Sequence, residues 1–239
     1  MSATPLPAPA PCPELAALLG RVRPGAPLSL DDRTLVPLVL QRRRGDDVLD
    51  VDLLEEGIAA GRTSIFPAGF DRVQVVHFGP RCLLIVDGEP VLGSPRGGVF
   101  AESVIVPPGA RIDARVSPYE GGARAPRLQP LPTQIGVAVV RGDAVIALHA
   151  YGAPGLFVRG WRKIARSLAV DPLPGSATSR DAVAVVERAL RALGGLPLVR
   201  RPSLGIGDSL HASVAGWVAG AVVHQRRLYH AAATGGVQA

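Results

Sequence analysis

Four carboxylates, Asp87, Glu89, Glu102 and Glu120, fall in one glycine-rich stretch of the chain. Two carboxylates held apart in a cleft can divide acid and base duty, because burial raises one pKa while solvation keeps the other ionised. Such a pair would suit hydrolysis of a ribosyl or glycosidic bond, with Glu89 and Glu120 as weak candidates. The plain alternative is that Asp87 serves a hairpin turn and Glu102 is an outward strand residue. Between them lies the loop of residues 93–98, with Gly93, Arg96, Gly97 and Gly98. Glycines let backbone amides approach an anion, and a guanidinium offers a fork for phosphate or carboxylate. The loop lacks the Gly-Lys-Ser/Thr ending of a nucleotide P-loop.

Other patterns point to structure before chemistry. Gly205, Gly207 and Asp208 resemble half of a dinucleotide fingerprint, but a third glycine is missing and a strand follows, so a turn is expected. The histidines at 77, 149, 211, 224 and 230 are scattered over strand-like runs, and only His224 and His230 stand near each other, across a turn. No metal site and no cofactor are expected from that spacing. Cys12 and Cys82 fit neither a metal site nor a disulfide and suit a reduced, cytoplasmic setting. Arg141-Gly142-Asp143 reads as a hairpin turn.

The elements that must hold these groups follow from periodicity. Residues 81–117 read as a meander: a strand over 82–86, a turn at Asp87 and Gly88, a return over 90–92, an extended run over 99–106, and an alternating strand to Ser117. Upstream, 35–41 reads as a strand in which Pro37 argues for an edge position or a strand start. Asp52 with Glu55 reads as a helix N-cap and its third-position acid, with Gly61 closing the helix. Strands are expected at 63–67 and 72–78, and a hairpin at 135–140 and 144–151. A helix starting at Pro154 carries Phe157, Trp161, Ile164 and Leu168 on its apolar face, leaving Arg159, Arg162, Lys163 and Arg166 as a solvated side. A second helix, capped by Ser179, ends at Gly194 and Gly195, and strands follow at 196–200, 209–216, 217–225 and 228–232.

Asp87-Gly88-Glu89, then Gly93, Ser103, Val106-Pro107, Val116-Ser117 and Glu120, resemble the ARPP family of prokaryotic domains, associated with ADP-ribosylglycohydrolases and rhodanese-phosphatase proteins. Residues 51–58 resemble the family's short acidic helix, and residues 160–171 its tryptophan-bearing helix with an alanine-hydrophobe-Asp tail. The likeness covers about residues 36–173 and, more loosely, the end of the chain. It implies an accessory ligand-binding domain linked to ADP-ribose or NAD metabolism; the family-matched Asp87, Glu89, Gly93, Ser103, Ser117 and Glu120, together with Arg96, Gly97 and Gly98 of the anion loop, make up the expected ligand-binding set. The partners it implies are a phosphate-bearing small molecule and ADP-ribose-processing proteins. A hydrolase of an ADP-ribose-type or nucleotide substrate and a basic interaction module are the alternatives.

The 239-residue chain, rich in glycine and proline, predicts one α+β domain, β-rich, of mostly antiparallel strands with one short and two longer helices. Residues 1–30 are expected to be a proline-rich mobile tail, and 31–235 the domain: a mostly β first half (31–120), a linker (121–133) and a second half (134–235) of hairpin, two helices and C-terminal strands. The net charge of +6 comes almost wholly from arginine, since Lys163 is the single lysine. Only residues 42–44 form a compact basic run and no aromatic interrupts it, which disfavours nucleic acid as a partner. Residues 209–225 contain His211 and His224 and suit a sheet better than a membrane span.

Overall fold

A computed structural model of the protein describes residues 8–30, 32–41, 49–91, 98–118, 129–167, 181–214 and 216–236. Its frame is an antiparallel sheet whose central strands are apolar on both faces, which is why Gln134–Arg141 reads as an almost unbroken hydrophobic run. In chain order the first elements are β1 (Ala10–Pro11), α1 (Pro13–Leu19), β2 (Val22–Pro24), β3 (Leu28–Leu30) and β4 (Arg33–Leu40). Next come β5 (Val51–Leu53), α2 (Leu54–Ala59), β6 (Thr63–Pro67), β7 (Arg72–His77), β8 (Cys82–Ile85), β9 (Val99–Phe100), β10 (Val104–Val106) and β11 (Arg111–Ser117). The second half holds β12 (Gln134–Arg141), β13 (Ala144–Tyr151), α3 (Pro154–Ser167), α4 (Ala182–Gly195), β14 (Pro197–Pro202), β15 (Asp208–Val214), β16 (Trp217–His224) and β17 (Arg227–Gly236).

The large sheet has ten strands in the order β1-β14-β15-β16-β17-β13-β12-β4-β2, with β3 also on β4. One face is covered by α1 and α4, whose Leu15, Leu19, Val186 and Leu190 meet Ile135, Val140 and Leu148 of the sheet. The other face carries Val137, Val139 and Tyr151 and is covered by α3, through Phe157 and Trp161, and by the strands β5, β8 and β10. Those three form a small sheet in which only β5 and β8 run parallel. A four-stranded sheet, β6-β7-β11-β9, packs beyond it around Val75, Leu83, Phe100 and Ile112.

Several local expectations need correction. The stretch 81–117 is not one meander: β8 pairs with β10 while β9 pairs with β11, so its legs are shared between two sheets. Of the return expected over 90–92, Leu92 lies outside the described residues, and Pro90 bridges Val99 and not β8. Pro37 is not on an edge, since β4 lies between β12 and the short β2 and β3. It sits in the gap between those two partners, where its missing N–H leaves no ladder bond unmade and its carbonyl still accepts from Gly25 N–H at 2.7 Å. Asp52 is no N-cap: Leu53 holds that position, its N–H donates to Glu56 Oε2 at 2.8 Å, and Asp52 is fully buried beside Arg62 at 3.0 Å. Gly61 does follow the helix, at φ +65.

Residues 10–24, expected in a mobile tail, contribute to the core through Cys12, Leu15, Leu18, Leu19 and Val22. The Cys12 thiol accepts from Leu15 N–H at 3.4 Å and caps α1. At the other end β17 continues to Gly236, past the end of the strand expected at 228–232. Asp181 caps α4, and the expected cap Ser179 and the apolar Leu168 lie outside the described residues. No described helix is long and apolar enough to cross a membrane, and residues 209–225 form the hairpin of β15 and β16.

Candidate functional site

The site is built around the turn that leaves β8. Gly88 takes φ +77, open to glycine at little cost, and donates its N–H to Phe100 C=O at 2.9 Å; Glu89 N–H closes the turn on Val86 C=O at 3.1 Å. The Glu89 side chain turns back into the protein, where one oxygen accepts from Val86 N–H at 3.1 Å and the other takes the Lys163 ammonium of α3. Both groups are almost sealed, Glu89 at 3% and Lys163 at 7% exposure. Burial pushes the Glu89 carboxyl up and the Lys163 charge pulls it back. Both oxygens are thus committed to holding the turn against α3, so Glu89 is a structural carboxylate.

This overturns the solvated placement of Lys163. Over residues 154–165 the exposed stripe of α3 is narrow, Gly155, Val158, Arg159 and Arg162, and the other residues of that span are buried; the Arg166 side chain lies outside the described ones. Lys163 stands one turn beyond Arg159 on the inner border of that stripe. Arg159 is itself tied, donating to Glu56 Oε2 at 2.8 Å and Val51 C=O at 3.0 Å.

Asp87 faces the opposite way, into a cavity of about 290 Å³ between the turn and the large sheet. The sheet supplies its floor through register: His211 pairs with Gly220, Gly220 with Ala232, and Ala232 with His149, a row across β15, β16, β17 and β13. Two small residues between two histidines leave a depression where larger side chains would fill the space. A Cβ built on Gly220 would meet nothing closer than 3.9 Å, so the hollow is open above it. No described side chain bonds the Asp87 carboxyl, and burial pushes it up to about 6, with the Gly88 amide and His211 pulling against it and Glu102 adding to it.

A hydrogen-bonded chain runs from the turn to the cavity wall. Asp87 N–H donates to Ser103 Oγ at 2.9 Å, Ser103 Oγ meets His230 Nδ1 at 2.7 Å, and His230 Nε2 meets His149 Nδ1 at 3.3 Å. Tyr151, paired in register with His230, packs edge-on against its ring at 4.8 Å. Burial holds His149 down at about 4, and burial with the His149 neighbour holds His230 well below the ordinary imidazole value. Both rings are therefore neutral at pH 7. A second polar group stands close by, where Ser209 Oγ lies 3.2 Å from Glu102 Oε2 and 2.7 Å from His211 Nε2. His211 and then the other neighbours hold the Glu102 carboxyl below its usual value against the opposing effect of burial.

Of the residues expected to bind a ligand, Asp87, Glu89 and Ser103 come together, although Glu89 faces away from the cavity. Gly98 accepts from Val91 N–H at 2.8 Å, and Ser117 is exposed opposite Val99. Gly93, Arg96, Gly97 and Glu120 lie outside the described residues. His149, His230, His211 and Lys163 were missed. His149 and Tyr151, two apart on one strand face, were the available signal, and His230, which stands near only His224 in the sequence, hydrogen-bonds His149. Among the described residues no group of three or more His, Cys, Asp or Glu is placed to hold a metal.

Fold and site together define a β-rich α+β domain with a sheet-floored, mostly apolar cavity beneath a tight turn, edged by Asp87 and His149. Residues 123–234, a little under half of the chain, match the model of the ARPP-1 family, the ARG and Rhodanese-Phosphatase-superfamily-associated Protein domain. The matched stretch shares the tryptophan-bearing helix with the resemblance over residues 36–173 and supplies the cavity floor, while Asp87 and Ser103 lie before it. No curated protein and no solved structure matches the chain.

Proposed function

We propose that this protein is an accessory ligand-binding domain whose ligand is of the ADP-ribose or nucleotide class, bound over the floor between His149 and His211. The observation that carries the reading is the cavity itself: about 290 Å³, floored by Gly220 and Ala232, with Asp87 as an unpaired acid at its edge. That volume is at the lower end of small-molecule sites, which run from roughly 300 Å³ upward, and suits a nucleoside-sized piece of a ligand. The family description supports an accessory setting, and the link to ADP-ribose or NAD metabolism and to ADP-ribose-processing partners belongs to this proposal. So does a reduced, cytoplasmic setting, which the free thiols of Cys12 and Cys82 suit.

Catalysis through Glu89 is disfavoured, because both its oxygens are engaged. One observation keeps a hydrolase as the second reading: Asp87, held at about 6, can give or take a proton near neutrality. A thermal-shift screen with ADP-ribose, AMP and adenosine, followed by chromatography of the mixture, separates the two. A binder raises Tm and leaves the ligand intact; accumulation of product that Asp87→Asn abolishes identifies a hydrolase; no shift with any of them refutes the ligand class.

A further inference from the structure

We infer that the cavity reads a vicinal diol, of the kind a ribosyl ring offers, by setting a hydrogen-bond donor on His149 Nε2 against an acceptor on Asp87; this rests on the ligand-binding reading above. The donor follows from proton bookkeeping along the buried chain. Ser103 Oγ already accepts from Asp87 N–H, and its only other partner among the described residues is His230 Nδ1. If His230 carried its proton on Nδ1, Ser103 would accept twice and its own buried hydroxyl proton would have no acceptor, which is costly for a buried donor. Ser103 therefore donates to His230 Nδ1. His230, being neutral, carries its proton on Nε2 and gives it to His149 Nδ1. His149, also neutral, must then carry its proton on Nε2.

That nitrogen bonds no described residue, is not among the sealed unsatisfied polar atoms, and belongs to a ring that lines the cavity. The same cavity is lined by Asp87, whose carboxylate oxygens, when ionised, act only as acceptors. A group that gives one hydrogen bond and takes one through adjacent atoms satisfies both. A cis-diol does so, one hydroxyl donating to Asp87 and its neighbour accepting from His149. A primary carboxamide has the same donor and acceptor pair, and the diol is favoured because an acid on a ribose hydroxyl is a recurrent recognition mode.

Two measurements on the full chain test this separately. In long-range nitrogen-15 NMR at pH 7.5, His149 and His230 are both expected as the Nε2–H tautomer, and Ser103→Ala should leave His230 with an altered tautomer balance. Finding His149 protonated on Nδ1 in the unaltered protein overturns the inference whatever binds. In titration calorimetry adenosine is expected to bind at least tenfold more tightly than 2′-deoxyadenosine, with Asp87→Asn erasing the difference. Equal affinity for the two nucleosides, or binding of nicotinamide alone, overturns the diol assignment. If none of the three binds while the tautomers are as expected, the ligand class falls and takes the diol with it.

Discussion

Asp87 and Glu89 leave the same turn in opposite directions, and their surroundings differ chiefly in whether a cation is bonded to the carboxylate. Glu89 enters a sealed interior and finds Lys163 there, the chain's single lysine, so a group that would be costly to bury becomes a fastener between the turn and α3. Asp87 enters a half-buried cavity lined mainly by small and apolar residues with His149, and no described cation is bonded to it, so its charge is penalised and its pKa rises. A paired buried charge holds structure; an unpaired one beside a cavity is a group held ready for a ligand.

The largest expected effect breaks the first half of that comparison. Lys163→Met leaves Glu89 buried without its partner and should cost about 3–5 kcal/mol in urea unfolding, as removal of one member of a buried pair does. The double variant Lys163→Met with Glu89→Leu should recover most of the loss; a single variant within 1 kcal/mol of the parent, on the order of ordinary surface substitutions, refutes the fastener.

Next is Asp87→Asn, which should act with the opposite sign. The folded pKa of about 6 lies above the unfolded 3.8, so the folded state holds the proton over that window. Stability from this group falls as pH rises from 3.8 to 6, and the penalty is complete above 6. Removing the charge should therefore stabilise the protein at pH 7 by up to about 3 kcal/mol, two pKa units at roughly 1.4 kcal/mol each, while weakening the proposed ligand. The gain should vanish below pH 4; a destabilised variant at pH 7 contradicts the unpaired state of Asp87. His149 works the other way, its pKa lowered from 6.5 to about 4, so it removes stability as pH falls through that interval.

Two glycines sharpen the contrast between packed and open ground. A Cβ at Gly160 of α3 would come within 2.7 Å of the Tyr151 hydroxyl, so Gly160→Ala should cost about 1–3 kcal/mol by overpacking, read from the thermal midpoint. Gly220→Ala meets only open cavity and should change stability by less than about 1 kcal/mol while lowering ligand affinity. Equal losses in the two variants would remove the distinction.

Much of the fold was legible because periodicity is local. The hairpin of β12 and β13, the strand pair β6 and β7, the helix from Pro154 and the β15 to β17 strands follow the alternation and turn residues that predict them. Pro37 misled because proline's missing donor excludes a central position only where a neighbouring strand needs it, and here two short partners leave a gap. Lys163 misled because a lysine's ordinary preference for water says nothing about a carboxylate waiting 74 residues earlier in the chain. In the same way Asp87 and Ser103 could be singled out from their stretch, but His149 and His230 could not, since each looks like an ordinary strand histidine until register brings them together.

The order of apolar and polar residues by itself determined that this chain makes strands, where they turn, and which helix faces are greasy, because those outcomes depend on neighbours within a few positions. Which carboxylate would be neutralised and which left facing a cavity was decided only when α3, the turn after β8 and four strands of the large sheet came together. Burial and charge pairing depend on what lies nearby in space, and residues 87, 103, 149, 163 and 230 are neighbours only there.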